Sequence, residues 1–255
     1  MEELFSLAGK IALVTGGAQG LGRMIAQGLI AAGAEVYVTS RDAAVCEATA
    51  AELGEACHAL PGDAGSPEGI ADLARRFREA GQSMLSIIVN NAGRSWGAPI
   101  DKFPAKAWPG VMAVNVQAPF ATVQEFMPEL IAAGSAEDPA RVINIGSIAG
   151  GVVNDLNAYS YVASKAAIHQ LSKQLANDLM DRHINVNVIA PGYFPTSMTA
   201  HLRNDPDAEL EKKVPMGRLG RQSDIAGAIV FLSSRAGAYV TGAELPVDGG
   251  IMGCR

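Results

Sequence analysis

Short runs of apolar residues alternate along this chain with longer segments whose apolar positions recur at helical spacing. Continuous apolar runs of roughly four to eight residues predict buried strands, and the longer periodic segments predict helices. The predicted strands are 10–17, 35–41, a short third one within 58–63, 85–93, 141–148, 184–192 and 243–250. The predicted helices are 21–34, 42–53, 71–81, 159–180 and 223–234, with one long helical region at 105–133.

This alternation predicts an α/β fold, a Rossmann-like doubly wound parallel sheet with helices on both faces. No change in composition and no linker divides the chain, so residues 1–255 are predicted to form one domain. The polar, irregular stretch 193–222 is too long for a plain connection in such a fold. It is therefore predicted to be a lid over the substrate.

Composition and charge exclude several classes of function. The chain is 49% apolar and 18% charged, which argues against disorder, and its net charge of −6 gives no reason to expect a nucleic-acid partner. Three scattered cysteines predict reduced thiols, and the histidines lack ligand spacing, so no metal is expected. Without a signal-like start or a membrane-length apolar run, we expect a cytoplasmic protein with no membrane partner.

A glycine-rich stretch, TGGAQGLG at 15–22, separates the first predicted strand from the first helix. Gly16, Gly20 and Gly22 permit a tight turn whose backbone N–H groups can approach a pyrophosphate at the helix start. A plain strand-to-helix turn is one alternative. A phosphate-binding P-loop fits less well, because Arg23-Met24 stands where that motif needs Lys followed by Ser or Thr.

The end of the second strand bears on the choice of cofactor. An acidic residue there would hold the ribose 2′-hydroxyl of NAD, whereas an arginine accommodates the 2′-phosphate of NADP. Ser40 can hydrogen-bond to a phosphate and Arg41 can pair with it, while the acidic Asp42 lies one place further. NADP(H) is therefore favoured, the alternative being that Arg41 is only a solvated surface charge.

Two tyrosines begin the fifth predicted helix, and only one can share a face with the lysine that follows. Tyr161 and Lys165 are spaced i, i+4, whereas Tyr159 points elsewhere. An ammonium beside a phenol favours the phenolate, so we expect a lowered tyrosine pKa and a general acid or base. A core-packed tyrosine is the alternative, but Ser147 at the end of a strand and Asn115 within the long helical region favour an active site.

Taken in order, these features resemble the short-chain dehydrogenase/reductase family over nearly the whole chain. The matching positions are TGGAQGLG at 15–22, Asp63, NNAG at 90–93, Asn115, Ser147, Tyr161 with Lys165, and PGYFPT at 191–196. The resemblance implies that Tyr161 exchanges a proton with the substrate oxygen, and that Ser147 hydrogen-bonds that oxygen. It also implies that Lys165 lowers the tyrosine pKa and holds the nicotinamide ribose, and that Asn115 positions a water in a proton relay.

The same resemblance implies a set of cofactor contacts. Asp63 is expected at the adenine, Asn90 at the adenosine ribose, and the backbone around Phe194 and Thr196 at the carboxamide or phosphates. Gln19 replaces a basic residue that NADP-preferring members often carry, so Arg41 would hold the 2′-phosphate largely alone. The full expected set is Gly16, Gln19, Gly20, Leu21, Gly22, Ser40, Arg41, Asp63, Ala64, Asn90, Ala92, Gly93, Tyr161, Lys165, Pro191, Gly192, Phe194 and Thr196.

The substrate pocket is predicted to be mainly apolar and to hold a ketone, an alcohol or an acyl thioester. Its expected residues are Trp96, Ser147, Val152, Tyr161 and Met198. Within the family, the chain is similar to NADPH-dependent 3-oxoacyl (β-ketoacyl) reductases of the rhamnolipid-associated type. The family resemblance, with the apolar last helix and strand at 223–250, also implies a homotetramer. A keto-sugar or polyol dehydrogenase of the same family is the nearest alternative, and a non-catalytic NADP(H)-binding sensor or scaffold is the alternative of another class. His169 is read as a packing or interface residue.

Overall fold

The computed structural model describes residues 2–153, 156–196 and 210–254. Their strands form one seven-stranded sheet in the order β3-β2-β1-β4-β5-β6-β7, and every neighbouring pair is parallel. The strands are β1 (Ile11–Val14), β2 (Glu35–Val38), β3 (Cys57–Ala59), β4 (Ile87–Asn90), β5 (Ala140–Ile145), β6 (Ile184–Pro191) and β7 (Glu244–Val247). The predicted fold class is thus confirmed.

Helices cover both faces of this sheet. They are α1 (Glu2–Phe5), α2 (Gly20–Ala31), α3 (Ala43–Leu53), α4 (Pro67–Glu79), α5 (Ala107–Met112), α6 (Ala118–Glu125), α7 (Met127–Ala133), α8 (Tyr159–Leu179) and α9 (Gln222–Ser233). None of the helices in the described ranges combines the length and the apolarity needed to cross a bilayer.

Successive residues of each strand face opposite layers, which gives the molecule two cores. In β1, Val14 packs into one core with Ile25 of α2 and Ile225 of α9. Leu13 packs into the other core, with residues of α4, α6 and α8 such as Phe77. Both faces of the central strands β1, β4, β5 and β6 are therefore largely buried, which explains why they appear as mainly apolar runs.

The long helical region predicted at 105–133 is helical over nearly its whole length, and the structure divides it into several segments. It contains α5, a π-helical segment Ala113–Gln117, then α6 and α7. Pro119 and Pro128 lack the backbone N–H that an uninterrupted helix would need at those positions. The helix predicted at 71–81 begins earlier, at Pro67, because the Ser66 side chain accepts a hydrogen bond from the backbone N–H of Gly69.

The strand order reverses at β1, whose two neighbours are β2 and β4. Connections leave β1 and β4 toward opposite sides, which opens a crevice at the carboxyl ends of the strands. The residues predicted to bind cofactor and substrate follow these strand ends, so the topology gathers them at one edge of the sheet.

Candidate active site

The glycine-rich turn is held by neighbouring strand ends rather than by its own side chains. Gly16 and Gly20 have φ angles of 62° and 52°, which favour glycine. The backbone N–H of Gly16 donates to Thr39 Oγ1 at 3.1 Å, and a Cβ on Gly22 would overlap the carbonyl oxygen of Gly16. The turn therefore depends on glycine for close backbone contact.

The start of α2 suits an anion. Gln19 has an extended backbone at the N-cap but makes no capping hydrogen bond with its side chain, and the first turn contains no acidic residue. The N–H groups at this end of the helix carry partial positive charge. Thr196 lies alongside, its Cβ 3.6 Å from where a Cβ of Gly20 would stand. Gln19, Gly20, Leu21, Gly22 and Thr196 thus meet in a cradle that fits a dinucleotide phosphate.

Two residues that sequence reasoning left without a role fasten this cradle to β4. Thr15 Oγ1 accepts hydrogen bonds from the backbone N–H groups of Asn91 and Ala92, each at 3.0 Å. The side-chain amide of Asn91 donates to the carbonyl oxygens of Thr15 and Gly16. Both residues belong to the quoted glycine-rich and NNAG motifs, so their position in those motifs was the available signal.

The end of β2 presents an exposed cation that can meet a cofactor phosphate. Arg41 is exposed, and Ser40 Oγ accepts the backbone N–H of Asp42 at 3.2 Å. Asp42 caps α3 by accepting the backbone N–H of Val45, so its carboxylate is directed to that helix. Arg23 is engaged elsewhere, since it pairs with Glu52 at 2.7 Å.

Asp63, Ala64 and Asn90 are the remaining residues expected on the adenosine side of the cofactor. Asp63 is exposed in the loop after β3, where its carboxylate accepts the N–H of Gly65 and the hydroxyl of Ser66, and Ala64 beside it is buried. Asn90 is buried at the carboxyl end of β4, and its side-chain amide donates to Asn144 Oδ1 at 2.8 Å. Its expected contact with the adenosine ribose stays a prediction.

The carboxyl end of β6 brings another part of the expected cofactor set to the crevice. Pro191 closes β6, and the backbone N–H of Gly192 donates to the carbonyl of Val247 at 3.0 Å. The side chain of Phe194 is buried in the core that contains α2 and α9. Only the backbone of Phe194 is thus placed for a ligand, as the resemblance implied.

Ser147, Tyr161 and Lys165 come together where β5 and α8 face each other. The hydroxyl of Tyr161 is hydrogen-bonded to Ser147, and Lys165 Nζ lies 5.6 Å from the centroid of the tyrosine ring. Lys165 Nζ also donates to the carbonyl of Ile145 at 2.7 Å, at the end of β5. The arrangement joins a phenol, a hydroxyl and a cation around one point at the sheet edge.

The pKa of Tyr161 is raised here, whereas the i, i+4 spacing predicted that it would be lowered. Burial disfavours the phenolate and outweighs the hydrogen bond from Ser147, which acts in the opposite direction. Burial also lowers the pKa of Lys165 to about 8. Tyr161 therefore holds its proton at neutral pH, the state required of a proton donor.

Asn115 occupies the π-helical segment and is almost wholly buried. Its Oδ1 accepts the backbone N–H of Arg94 at 2.8 Å, and its Nδ2 donates to the carbonyl of Arg94 and to Ser164 Oγ, each at 2.9 Å. Both amide N–H groups and one lone pair of Oδ1 are thus occupied. The regular i+4 backbone donor to the Asn115 carbonyl is missing, because that position is Pro119.

The two other polar or aromatic residues weighed on α8 have clear places. Tyr159 begins the helix and packs edge-on against Phe103, with ring centroids 5.2 Å apart, away from the reacting cluster. His169 is buried beneath Ser147, where its Nε2 accepts the backbone N–H of Ser147 at 3.3 Å. Its Nδ1 lies 3.0 Å from Oε1 of Glu244. Glu244 comes from β7, so this contact had no signal in the local sequence around His169.

The expected substrate-pocket residues are partly placed. Val152 packs against the buried cluster of Ile148, Val214 and Ile251, just beyond Ser147. Trp96 is 41% exposed in a segment that runs beside the start of α8, where the N–H of Ala98 donates to the carbonyl of Asn157. Met198 lies outside the described residues. Within the described ranges no three His, Cys, Asp or Glu residues gather in a way that could hold a metal ion.

Comparisons with known proteins add independent information. Residues 16–252 match the family described as enoyl-(acyl carrier protein) reductase. The chain is 50% identical over 254 residues to the rhamnolipids biosynthesis 3-oxoacyl-[acyl-carrier-protein] reductase of Pseudomonas aeruginosa, covering 98% of this chain and 99% of that one. It is 38% identical over 251 residues to a galactitol 2-dehydrogenase (L-tagatose-forming) of Cereibacter sphaeroides, covering 97% and 96%.

Solved structures give the same picture. The RhlG/NADP active-site complex of Pseudomonas aeruginosa superposes with a TM-score of 0.95 at 50% identity, covering 99% of this chain and all of that one. A putative 2-deoxy-D-gluconate 3-dehydrogenase of Agrobacterium tumefaciens with bound NADP superposes with a TM-score of 0.85 at 42% identity, covering 98% of each chain. The likeness therefore extends over the whole fold.

Proposed function

Because the chain belongs to the short-chain dehydrogenase/reductase family, we propose that it is an NADPH-dependent reductase of 3-oxoacyl thioesters or other hydrophobic ketones. The observation that carries the proposal is the cluster of Ser147, Tyr161 and Lys165 beside an apolar wall. That wall contains Ile148, Val152, Val214, Ile251 and Met252. It favours an acyl chain over a hydroxylated sugar, because burying hydroxyl groups without partners is costly.

Each catalytic group has a role that follows from its surroundings. Ser147 donates a hydrogen bond to the substrate carbonyl oxygen, and Tyr161 transfers its proton to that oxygen. Lys165 is largely charged below its pKa of about 8, so it stabilises the phenolate that Tyr161 leaves behind. Asn115, as the family resemblance implies, would position a water that returns a proton toward Lys165. The raised pKa of Tyr161 suits the direction of reduction, since the phenol begins protonated.

NADP(H) is the cofactor that these residues fit. The uncapped start of α2 and Gly16, Gly20 and Gly22 would hold the pyrophosphate, and Ser40 with Arg41 would hold the 2′-phosphate. The reduced nicotinamide, when bound, supplies a hydride to the carbonyl carbon. The protein aligns the substrate, supplies the proton and keeps water from the reacting atoms.

The decisive measurement compares substrates with NADPH consumption as the readout. The purified protein is assayed with 3-oxoacyl thioesters of increasing chain length, with keto-sugars, and with NADPH or NADH. We expect the highest kcat/KM for a 3-oxoacyl thioester with NADPH. A higher kcat/KM for a keto-sugar would favour the polyol-dehydrogenase alternative. Tight NADPH binding without turnover of any ketone would favour the sensor.

We also propose that residues 193–222 form a lid over the substrate. The described ends of this segment support the proposal, because Val214 joins the apolar wall and Thr196 reaches the cofactor cradle. The central part, with Met198, lies outside the described residues. Limited proteolysis with and without NADPH tests the lid, since cofactor-dependent protection of this segment is expected.

The assembly we propose is a homotetramer. β7 is the last strand of the sheet, pairs only with β6 and is partly exposed along its length. α9 next to it carries a high proportion of apolar residues. Light scattering should give four times the 26.4 kDa chain mass.

Three free cysteines, two of them buried, support a cytoplasmic location, which cell fractionation tests.

A further inference from the structure

We propose that His169 is a positioning residue for the active site, held in one tautomer by Glu244 so that it can fix the backbone of Ser147. The inference rests on the proposed function, since it assumes that Ser147 and Tyr161 carry out the reduction. It concerns a buried histidine and a carboxylate that neither the reaction nor the cofactor contacts use.

The contact with Ser147 determines the protonation state of the imidazole. Nε2 of His169 accepts the backbone N–H of Ser147 at 3.3 Å, and a nitrogen can accept only when it carries no proton. The neutral ring therefore carries its proton on Nδ1. Nδ1 lies 3.0 Å from Glu244 Oε1, an ion-pair distance. Oε1 is buried and makes no hydrogen bond of regular geometry with any described residue, so Glu244 acts on Nδ1 mainly through its charge. Glu244 is thus the group that favours the Nδ1–H tautomer.

Two glycines, which lack a Cβ, make room for the imidazole ring of His169. Gly146 precedes Ser147, and a Cβ there would overlap His169 Nε2. Gly150 lies at the far end of the short 3-10 turn that Ser147 begins, and a Cβ there would lie 2.8 Å from Cε1 of the ring. The imidazole therefore fills the space beneath the turn, and its hydrogen bond sets the direction in which Ser147 leaves β5.

A second proton on His169 would abolish this support. The imidazolium presents N–H to the N–H of Ser147, so the hydrogen bond is replaced by repulsion. Burial lowers the pKa of His169, and the charges of Lys165 and Lys173 act in the same direction, whereas Glu244 on β7 raises it. The pH profile of kcat should therefore have an acid limb, which is a fall in kcat at low pH as His169 gains its second proton.

Three variants test the inference. Replacement His169→Leu should lower kcat by about 10- to 100-fold with little change in NADPH affinity, because the reacting hydroxyl is displaced. Replacement His169→Gln should restore most of kcat, since its amide oxygen can accept the N–H of Ser147, and it should lack the acid limb due to His169. Replacement Glu244→Gln should move that limb to lower pH, because the carboxylate no longer favours the imidazolium.

A buried polar residue far from the site provides the control. Asn185 lies at the start of β6 and donates to the carbonyl of Ala238 at 2.8 Å. Replacement Asn185→Leu should reduce stability to urea without moving the pH profile. The imidazole ¹⁵N signals of His169 can be assigned because they disappear in the His169→Gln variant. Their chemical shifts should show a protonated Nδ1 and an unprotonated Nε2 in the protein without cofactor.

The outcomes separate the two proposals. Failure of the wild-type protein to reduce any ketone would remove the proposed function, while the ¹⁵N measurement would still test the tautomer. A protonated Nε2 would overturn the positioning role. It would also be overturned by an unchanged acid limb in His169→Gln, or by a His169→Leu protein whose kcat stays within about twofold of wild type.

Discussion

The cofactor half and the catalytic half of the sheet edge are built by opposite means. Around β1 and β2, the ligand would meet backbone N–H groups, glycines with positive φ and exposed side chains such as Gln19 and Arg41. Around β5 and α8, it would meet side chains that are almost fully buried, among them Ser147 and Lys165, each with a hydrogen-bond partner.

This difference determines which substitutions each half tolerates. The cofactor half is sensitive to added atoms, because its backbones are in close contact. The catalytic half is sensitive to changes of chemistry at constant shape, because its function depends on protons and charges. Substitutions that change one property at a time should therefore separate binding from catalysis.

The largest effect is expected when the tyrosine hydroxyl is removed at constant shape. Replacement Tyr161→Phe should lower kcat by about 100- to 10,000-fold, the contribution of a general acid, while NADPH binding is retained. Steady-state kinetics and NADPH fluorescence titration measure the two quantities. The matched control is Tyr159→Phe, which keeps the ring that packs against Phe103 and should remain active. If the two variants behaved in the opposite way, the assignment of the proton donor would be wrong.

A smaller loss, confined to binding, is expected from one added methyl group in the cradle. Replacement Gly22→Ala would place a Cβ against Gly16 and Asn91. Overpacking of about 1–3 kcal/mol, if it falls on the bound state, corresponds to a loss of NADPH affinity of about 5- to 150-fold.

The control for that variant lies in the same helix. A Cβ on Gly28 would stand 2.8 Å from the Cβ of Ala226, away from the cofactor turn. Replacement Gly28→Ala should lower the midpoint of thermal unfolding but leave the NADPH dissociation constant of the folded protein unchanged. Equal losses of NADPH affinity in both variants would show that the cradle has no special sensitivity.

Charge at the end of β2 should set the choice between cofactors. Replacement Arg41→Gln should weaken NADPH binding by about tenfold and leave NADH binding nearly unchanged. A charge-assisted hydrogen bond contributes about 1.5–3 kcal/mol, and the lower value applies to an exposed side chain such as Arg41. Dissociation constants for both cofactors give the ratio. A parallel change for NADPH and NADH would place the 2′-phosphate elsewhere.

The smallest expected effect is a change in the pH dependence of stability. The pKa of Lys165 is about 8 in the folded protein, whereas the ordinary value for a lysine is 10.5. Between these values the unfolded chain binds more protons, so stability without cofactor should rise with pH by up to about 1.4 kcal/mol per pH unit. Replacement Lys165→Met should remove this slope. Urea unfolding at the two ends of the interval measures it, and an unchanged slope would mean that Lys165 titrates normally.

Much of the fold could be predicted because burial on both faces determines the strand sequences. The runs that became β4, β5 and β6 contain no exposed residue, and they are mainly apolar although β5 and β6 also bury a few polar side chains such as Asn144 and Asn187. The pairing of Tyr161 with Lys165 was also predictable, since helical spacing alone brings the two side chains to one face.

Other features depend on contacts that spacing does not contain. The interruption of the region 105–133 follows from local backbone effects at Ala113–Gln117 and beyond, while its apolar pattern stays helical. The direction of the Tyr161 pKa shift comes from burial by distant parts of the chain. The approach of Glu244 to His169 requires β7 to lie beside β6, which only the sheet order provides.

The π-helical segment has a consequence for how this region can change by insertion or deletion. The one residue that the π-turn adds between α5 and α6 shifts the rotational phase of everything that follows it by about 100° relative to an α-helix. Deleting one residue here would remove the π-turn and rotate Ala118 and Ala121 out of their packing with Ile70. The deletion would thus shorten the helical segment at the expense of its packing on α4, and Asn115 would lose its hydrogen bonds with Arg94.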